Sequence, residues 1–152
     1  MSRHAVAAYM TASPHSIGRD QTLETAHEMM RRYRVRHLPV LEHGKLAGIL
    51  SQRDLYLIES LPGVTTRDTL VDEAMSEDAY CVRQDARVED VVQEMAENKY
   101  GCAVVMSGGR VCGIFTTTDA LQALSGVLRS HSLEVPKARE ATTHARVRRE
   151  AR

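Results

Sequence analysis

A mixed α/β fold made of two like halves is predicted by three features of this 152-residue sequence. The segment GILSQRD, Gly48 to Asp54, returns 65 residues later as GIFTTTD, Gly113 to Asp119. Before each copy lie an apolar stripe at helical spacing and two short apolar runs split by a turn, the signatures of an amphipathic helix and a β-hairpin. Each half has only about 60 residues and would bury roughly 60% of its surface alone, so the halves are expected to pack together about an approximate twofold axis.

The repeat extends well beyond the seven-residue echo. Sliding the chain by 65 without a gap pairs Val6 to Asp54 with Val71 to Asp119 and gives ten identities in 49 positions. These are Val6/Val71, Met10/Met75, Asp20/Asp85, Glu24/Glu89, Met30/Met95, Val40/Val105, Gly44/Gly109, Gly48/Gly113, Ile49/Ile114 and Asp54/Asp119. Unrelated segments would share roughly three, so one structural unit is used twice.

In the first copy, Leu23, Ala26, Met29, Met30 and Tyr33 recur at helical spacing, with Thr22 or Asp20 available as N-cap. HLPVLE (37 to 42) and KLAGILS (45 to 51) follow, parted by His43-Gly44, and read as a hairpin; RDLYLIES opens a second helix. The second copy repeats the order: a helix over Val88 to Asn98, a strand over Cys102 to Met106, a turn at Gly108-Gly109, a strand over Val111 to Thr116, and a helix from Thr117 to about Ser130. The division expected is 1–60 and 70–132 for the two copies, with 61–69, carrying Pro62-Gly63, as linker. Residues 133–152 are polar and basic and are expected to be disordered, or helical only on a partner.

Formal charge sums to zero, but Lys137 to Arg152 holds six basic and two acidic residues, leaving the first 136 at about minus four. A nucleic-acid-coating main body is thereby excluded, and nucleic acid is not the expected partner, although a basic tail stays open. Three cysteines, Cys81, Cys102 and Cys112, are an odd number without CxxC spacing and fit neither a disulfide framework nor a zinc site. They suit reduced thiols in a cytoplasm. The apolar stretch Ala5 to Met10 is too short for a signal-peptide core, and no run approaches the roughly 18 residues of a membrane span, so a soluble, unexported protein without a membrane partner is expected.

Across residues 5 to 130 the chain resembles a tandem pair of CBS (cystathionine beta-synthase) domains. The likeness rests on Met10 and Met75, the strand Leu38-Pro39-Val40, the turn at Gly44, and both Gly-x-x-Ser/Thr-x-x-Asp segments. It implies a β-α-β-β-α unit in each half, two units packed across their sheets with pseudo-twofold symmetry, and regulation by adenine nucleotides or related adenosyl ligands held between the sheets.

The repeated segment suits such a ligand. An ionised carboxylate can accept from both vicinal hydroxyls of a ribose, the role assigned to Asp54 and Asp119. A strand ending at Ser51 or Thr116 and turning straight into a helix aims backbone N–H groups and a hydroxyl at one spot, where the helix dipole favours a phosphate. Arg53 and Thr118 resemble family positions that reach toward phosphate. The base is expected against Ser16, Ile17, His37, Leu38 and Pro39 in one copy and Cys81, Val82, Gly101, Cys102 and Ala103 in the other, each of which also suits plain sheet core. The same Ser/Thr-x-x-Asp segments fit a helix capping box, which leaves a purely structural role open.

No phosphate-loop, dinucleotide-fold, zinc-protease or nucleophile-elbow motif is present, so catalysis is not expected and no cofactor is required. His37 and His43 lie on either side of a turn rather than at ligand spacing, and no metal is expected. Three roles compete. The first is a regulatory, energy-sensing module for AMP, ADP, ATP, NAD or S-adenosylmethionine that signals to a second protein. The second is a ligand-free oligomerisation scaffold. The third is an accessory subunit that lays Arg146, Arg148 and Arg149 on an acidic partner. A homodimer is expected from the stripe Leu121, Leu124 and Leu128, and from Leu55 and Ile58.

Overall fold

In a computed structural model that describes residues 4–131, the chain forms two sheets with helices on their outer faces. After a 3-10 turn at Val6–Ala8 come β1 (Thr11–Ala12), β2 (Ile17–Gly18), α1 (Leu23–Tyr33), β3 (His37–Glu42), β4 (Lys45–Ser51) and α2 (Gln52–Glu59). The second half runs α3 (Val71–Ala74), β5 (Cys81–Arg83), α4 (Val88–Asn98), β6 (Cys102–Ser107), β7 (Arg110–Thr116) and α5 (Thr117–Ser130). Residues 132–152, including the basic tail, lie outside the described residues.

Helices and hairpins form where their periodicity predicts. Of the two candidate caps for α1, Thr22 serves: its side chain accepts from the Thr25 amide at 3.2 Å. The hairpin turns carry positive φ at His43 and Gly44 and at Gly108 and Gly109. Two such residues in succession match the twist of the flanking strands. The linker is docked: the Thr66 and Thr69 carbonyls accept from the Glu24 and Leu23 amides at 2.9 and 3.0 Å, capping the start of α1.

The two halves exchange their leading segments. Sheet order is β2-β3-β4 in one layer and β1-β7-β6-β5 in the other, so β1, from the first copy, is an edge strand of the second sheet. Thr11 pairs with Ile114 and Ala12 with Gly113. The second copy reciprocates through an antiparallel bridge between Ser76 and Ile49. Val6 donates to the Ala86 carbonyl and Val71 to the Gln21 carbonyl, both at 2.8 Å. As a result Val6 is buried with Val91, Met95, Ala103, Val105 and Phe115, while Val71 is buried with Leu23, Met30, Leu38, Leu50 and Leu55. Each half thus completes the other's core with a valine worth roughly 1.5–3 kcal/mol.

Leu55 is fully buried in the first core and Ile58 packs against it, which corrects their assignment to an association surface. On α2 the exposed large apolar side chains are Tyr56 and Leu57. The face of α5 is as the sequence predicts: Leu121, Leu124 and Leu128 are 65%, 50% and 51% exposed, and no residue of this helix is buried.

Candidate functional site: two crossed cavities

Both repeated Asp residues sit in the first turn of a helix that begins where a strand stops. Asp54 Oδ2 accepts from the Ser51 amide and hydroxyl, each at 2.8 Å, and the Asp54 amide donates back to Ser51 Oγ at 3.1 Å. Asp119 repeats the set with Thr116 at 2.8, 3.1 and 3.3 Å. Both are complete capping boxes. In each, the carboxylate's capping bonds fall on Oδ2 alone, so Oδ1 carries none of them.

The sequence sets backbone amides and a hydroxyl at one spot and leaves a capping box open, and the capping box is the arrangement present. The hydroxyl is committed to the carboxylate, and the amides of Gln52 and Thr117 donate to the carbonyls of Arg36 and Gly101 at 2.9 and 3.1 Å. The Arg53 and Thr118 amides are the first-turn donors engaged by neither contact.

A cavity opens above each capping box, and each draws walls from both halves. The first, about 650 Å³, joins Ser51, Gln52, Arg53 and Asp54 to Ser76, Asp78, Tyr80, Lys99, Tyr100, Gly101, Cys102 and Val104 of the second copy. The second, about 390 Å³, joins Thr116, Thr117, Thr118 and Asp119 to residues 11–15 and 34–37 of the first copy. Both fall within the roughly 300–1,000 Å³ typical of small-molecule sites. The exchanged leading segments supply part of these opposite walls, Ser76, Asp78 and Tyr80 in the first and residues 11–15 in the second.

Of the residues predicted to face a base, His37, Gly101 and Cys102 lie on cavity walls, whereas Ser16, Ile17, Leu38, Pro39, Cys81, Val82 and Ala103 line neither of these cavities. For Leu38 and Ala103 strand alternation is the reason. On β6, Cys102 and Val104 face the first cavity while Ala103 and Val105 point into the core, and on β3 Leu38 and Val40 likewise point inward. Ile17 and Pro39 are buried as well. Wall residues outside the predicted set include Tyr80 and Tyr100, whose rings stack 5.1 Å apart, while Arg34, Arg36 and Lys99, cations that the sequence already places near the pockets, line the walls as well.

Arg34 and Lys99 occupy equivalent repeat positions and end α1 and α4 in the left-handed conformation, with φ of 54° and 57°. Glycine is the usual residue there, since a side chain costs about 1–2 kcal/mol in that region. Arg34→Gly and Lys99→Gly are therefore expected to raise stability by about 0.5–1 kcal/mol in denaturant melts, while each removes a cation from one cavity wall and weakens anion binding there. Equal or lower stability in both variants would refute the strain argument.

Electrostatically both cavities favour anions. The first gathers Arg36, Arg53 and Lys99 against Asp54 and Asp78, and the second Arg34 and Arg36 against Asp119. Burial and the neighbouring Arg36 push His37 below its ordinary pKa, against a weaker opposing pull from Asp54. Burial pushes the Cys102 thiol up to about 12, so it is no nucleophile at neutral pH.

The family model for the CBS domain matches residues 6–58 and again 71–126. The chain belongs to the CBS domain family. Among solved structures, this CBS pair superposes on the AcuB protein of Vibrio cholerae with a TM-score of 0.76 at 29% identity, covering 87% of this chain and 98% of that one. The CBS domain pair of protein MJ0100, in complex with 5-methylthioadenosine and S-adenosyl-L-methionine, gives a TM-score of 0.74 at 22% identity, with 81% and 97% covered. CBSX2, a CBS-pair protein from Arabidopsis thaliana, in complex with AMP gives 0.70 at 23%, with 83% and 99% covered. These two CBS pairs thus hold adenosyl compounds. The chain spans 33% and 23% of the length of the first curated relatives it matches, from Methanocaldococcus jannaschii and Methanosarcina acetivorans.

Proposed function

We propose that this CBS pair is a regulatory module without catalysis of its own, and that it binds adenine nucleotide or a related adenosyl compound in its two crossed cavities. The observation that carries the reading is the pairing, in each cavity, of a first-turn carboxylate with guanidinium or ammonium groups from the opposite half. A carboxylate with one oxygen outside its capping bonds suits a ribose, and the cations suit phosphate. Tyr80 and Tyr100 supply an aromatic surface in the first cavity. Arg53 gives that cavity a planar fork where the second has the neutral Thr118, which supports a stronger preference for additional phosphates in the first.

Calorimetric titration with AMP, ADP, ATP, NAD and S-adenosylmethionine tests the reading. Saturable binding of at least one compound is expected, and heats at the level of dilution for all five would refute it. The complete capping boxes favour a second reading, in which the repeated Asp residues only terminate strands and the pair is a scaffold. The free cysteines support a reducing compartment such as the cytoplasm. None of the described helices is long and apolar enough to cross a membrane.

Output requires a partner surface, and α5 offers one: fourteen residues with none buried leave its leucines exposed among the described residues. A homodimer formed through this face is the expected state, with the regulated target a separate protein. Light scattering at tens of micromolar should give twice the monomer mass, and Leu121→Glu with Leu124→Glu should return the monomer. A monomer mass for the unaltered chain rules the dimer out.

A further inference from the structure

One break of the repeat symmetry on the cavity walls lies where the two cavities meet. Where the first copy carries Arg36 and His37, the second carries Gly101 and Cys102. Pseudo-symmetric cavities would each receive one such pair from the opposite half. Here residues of a single copy serve both, because Arg36 and His37 line the first cavity and the second alike. The gap left at Gly101 is where His37 sits: a Cβ at position 101 would lie 2.6 Å from His37 Nε2 and 3.0 Å from Cε1. The wall between the cavities is thus His37 packed over a glycine, with Arg36 beside it and Thr117 on the rim of both.

We infer that the two ligand sites are negatively coupled through Arg36, which can serve an anion in one cavity or the other but not in both. This rests on the nucleotide reading above and adds how the two sites influence each other. A guanidinium that grips a phosphate does so through a rigid planar fork, so engagement on one side turns its donors away from the other. The first cavity then retains Arg53 and Lys99, and the second retains Arg34, so neither loses all affinity. Each binds its second-arriving anion with one charge-assisted contact fewer, a penalty of about tenfold, within the usual range of site-to-site coupling. The module would respond over a wider span of nucleotide concentration than two independent sites.

AMP is the probe, measured by calorimetry on the intact chain and on two variants that each fill one cavity. Thr118 is exposed and lines the second cavity only, and Arg53 is exposed and lines the first only. Thr118→Trp therefore leaves the first cavity open and Arg53→Trp the second. The product of the two single-cavity association constants should exceed the overall two-site constant of the intact chain by about tenfold. In the Arg36→Gln background this excess should vanish, and in Arg36→Lys, which keeps the charge without the fork, it should shrink. An intact chain that binds a single AMP, while both one-cavity variants also bind one, supports the coupling in a stronger form. A product equal to the overall constant, an excess that survives Arg36→Gln, or a one-cavity variant that binds nothing while the intact chain binds one AMP overturns it. Absence of AMP binding to the intact chain and to both variants instead removes the nucleotide reading on which the coupling stands.

Discussion

Asp54→Ala and Asp119→Ala will each cost about 1–2 kcal/mol of stability and lower nucleotide affinity at their own cavity by tenfold or more. The stability loss follows from the capping boxes, because each carboxylate holds a backbone amide and a hydroxyl at the helix start and sits at the positive end of the helix dipole. The affinity loss follows from the ribose role, since each hydrogen bond from a sugar hydroxyl to a carboxylate is worth tenfold or more. Asparagine separates the two effects. Asp54→Asn keeps an oxygen for the cap and removes the charge, so it should melt close to the parent while still binding nucleotide more weakly. Melts are run without ligand, because bound nucleotide raises stability by mass action. Unchanged affinity in both alanine variants, beside a clear loss of stability, would assign the repeated Asp to capping alone and leave the scaffold reading standing.

The elements that carry the site were readable because their signals are local. Helical spacing marks α1, a Gly-containing turn between apolar runs marks each hairpin, and Ser/Thr-x-x-Asp marks each helix start. The carboxylates could be found the same way. The opposite walls could not, because they depend on which half each leading segment joins. The strand β1 has two residues and its partners lie about a hundred positions away, at Gly113 and Ile114. No periodicity can appear in two residues. The identities Val6/Val71 and Met10/Met75 were visible in the repeat, yet their meaning is tertiary: each valine fills the other half's core, and each methionine lies against a glycine of the other half. The pairing of Arg36 with Gly101 likewise looks like ordinary divergence until the topology puts both at the wall between the cavities.

Gly48→Ala should destabilise the chain by about 2–4 kcal/mol and disable the first cavity, whereas the equivalent Gly113→Ala should cost about 1 kcal/mol or less. The repeat treats the two glycines alike, but their neighbours differ. A Cβ at position 48 would overlap the carbonyl oxygen of Ser76, with the Ser76 carbonyl carbon at 3.2 Å and Met75 Sδ at 3.3 Å. That carbonyl is backbone and accepts from the Ile49 amide at 2.9 Å, while the Ser76 amide donates to the Ile49 carbonyl at 2.9 Å, so the segment cannot yield without breaking this pair. At position 113 the obstructing atoms belong to the Met10 side chain, an unbranched chain with three rotatable bonds that can swing aside. The functional consequences diverge for the same reason. Ser76, Asp78 and Tyr80 form part of the first cavity's opposite wall, so displacing their segment pulls that part away from Asp54, while the second cavity keeps its own walls. Denaturant melts of both variants, paired with nucleotide titration, measure the two effects together. Equal stability losses, or a Gly48→Ala chain whose first cavity still binds at parental affinity, would contradict the role assigned to the Ser76 crossing.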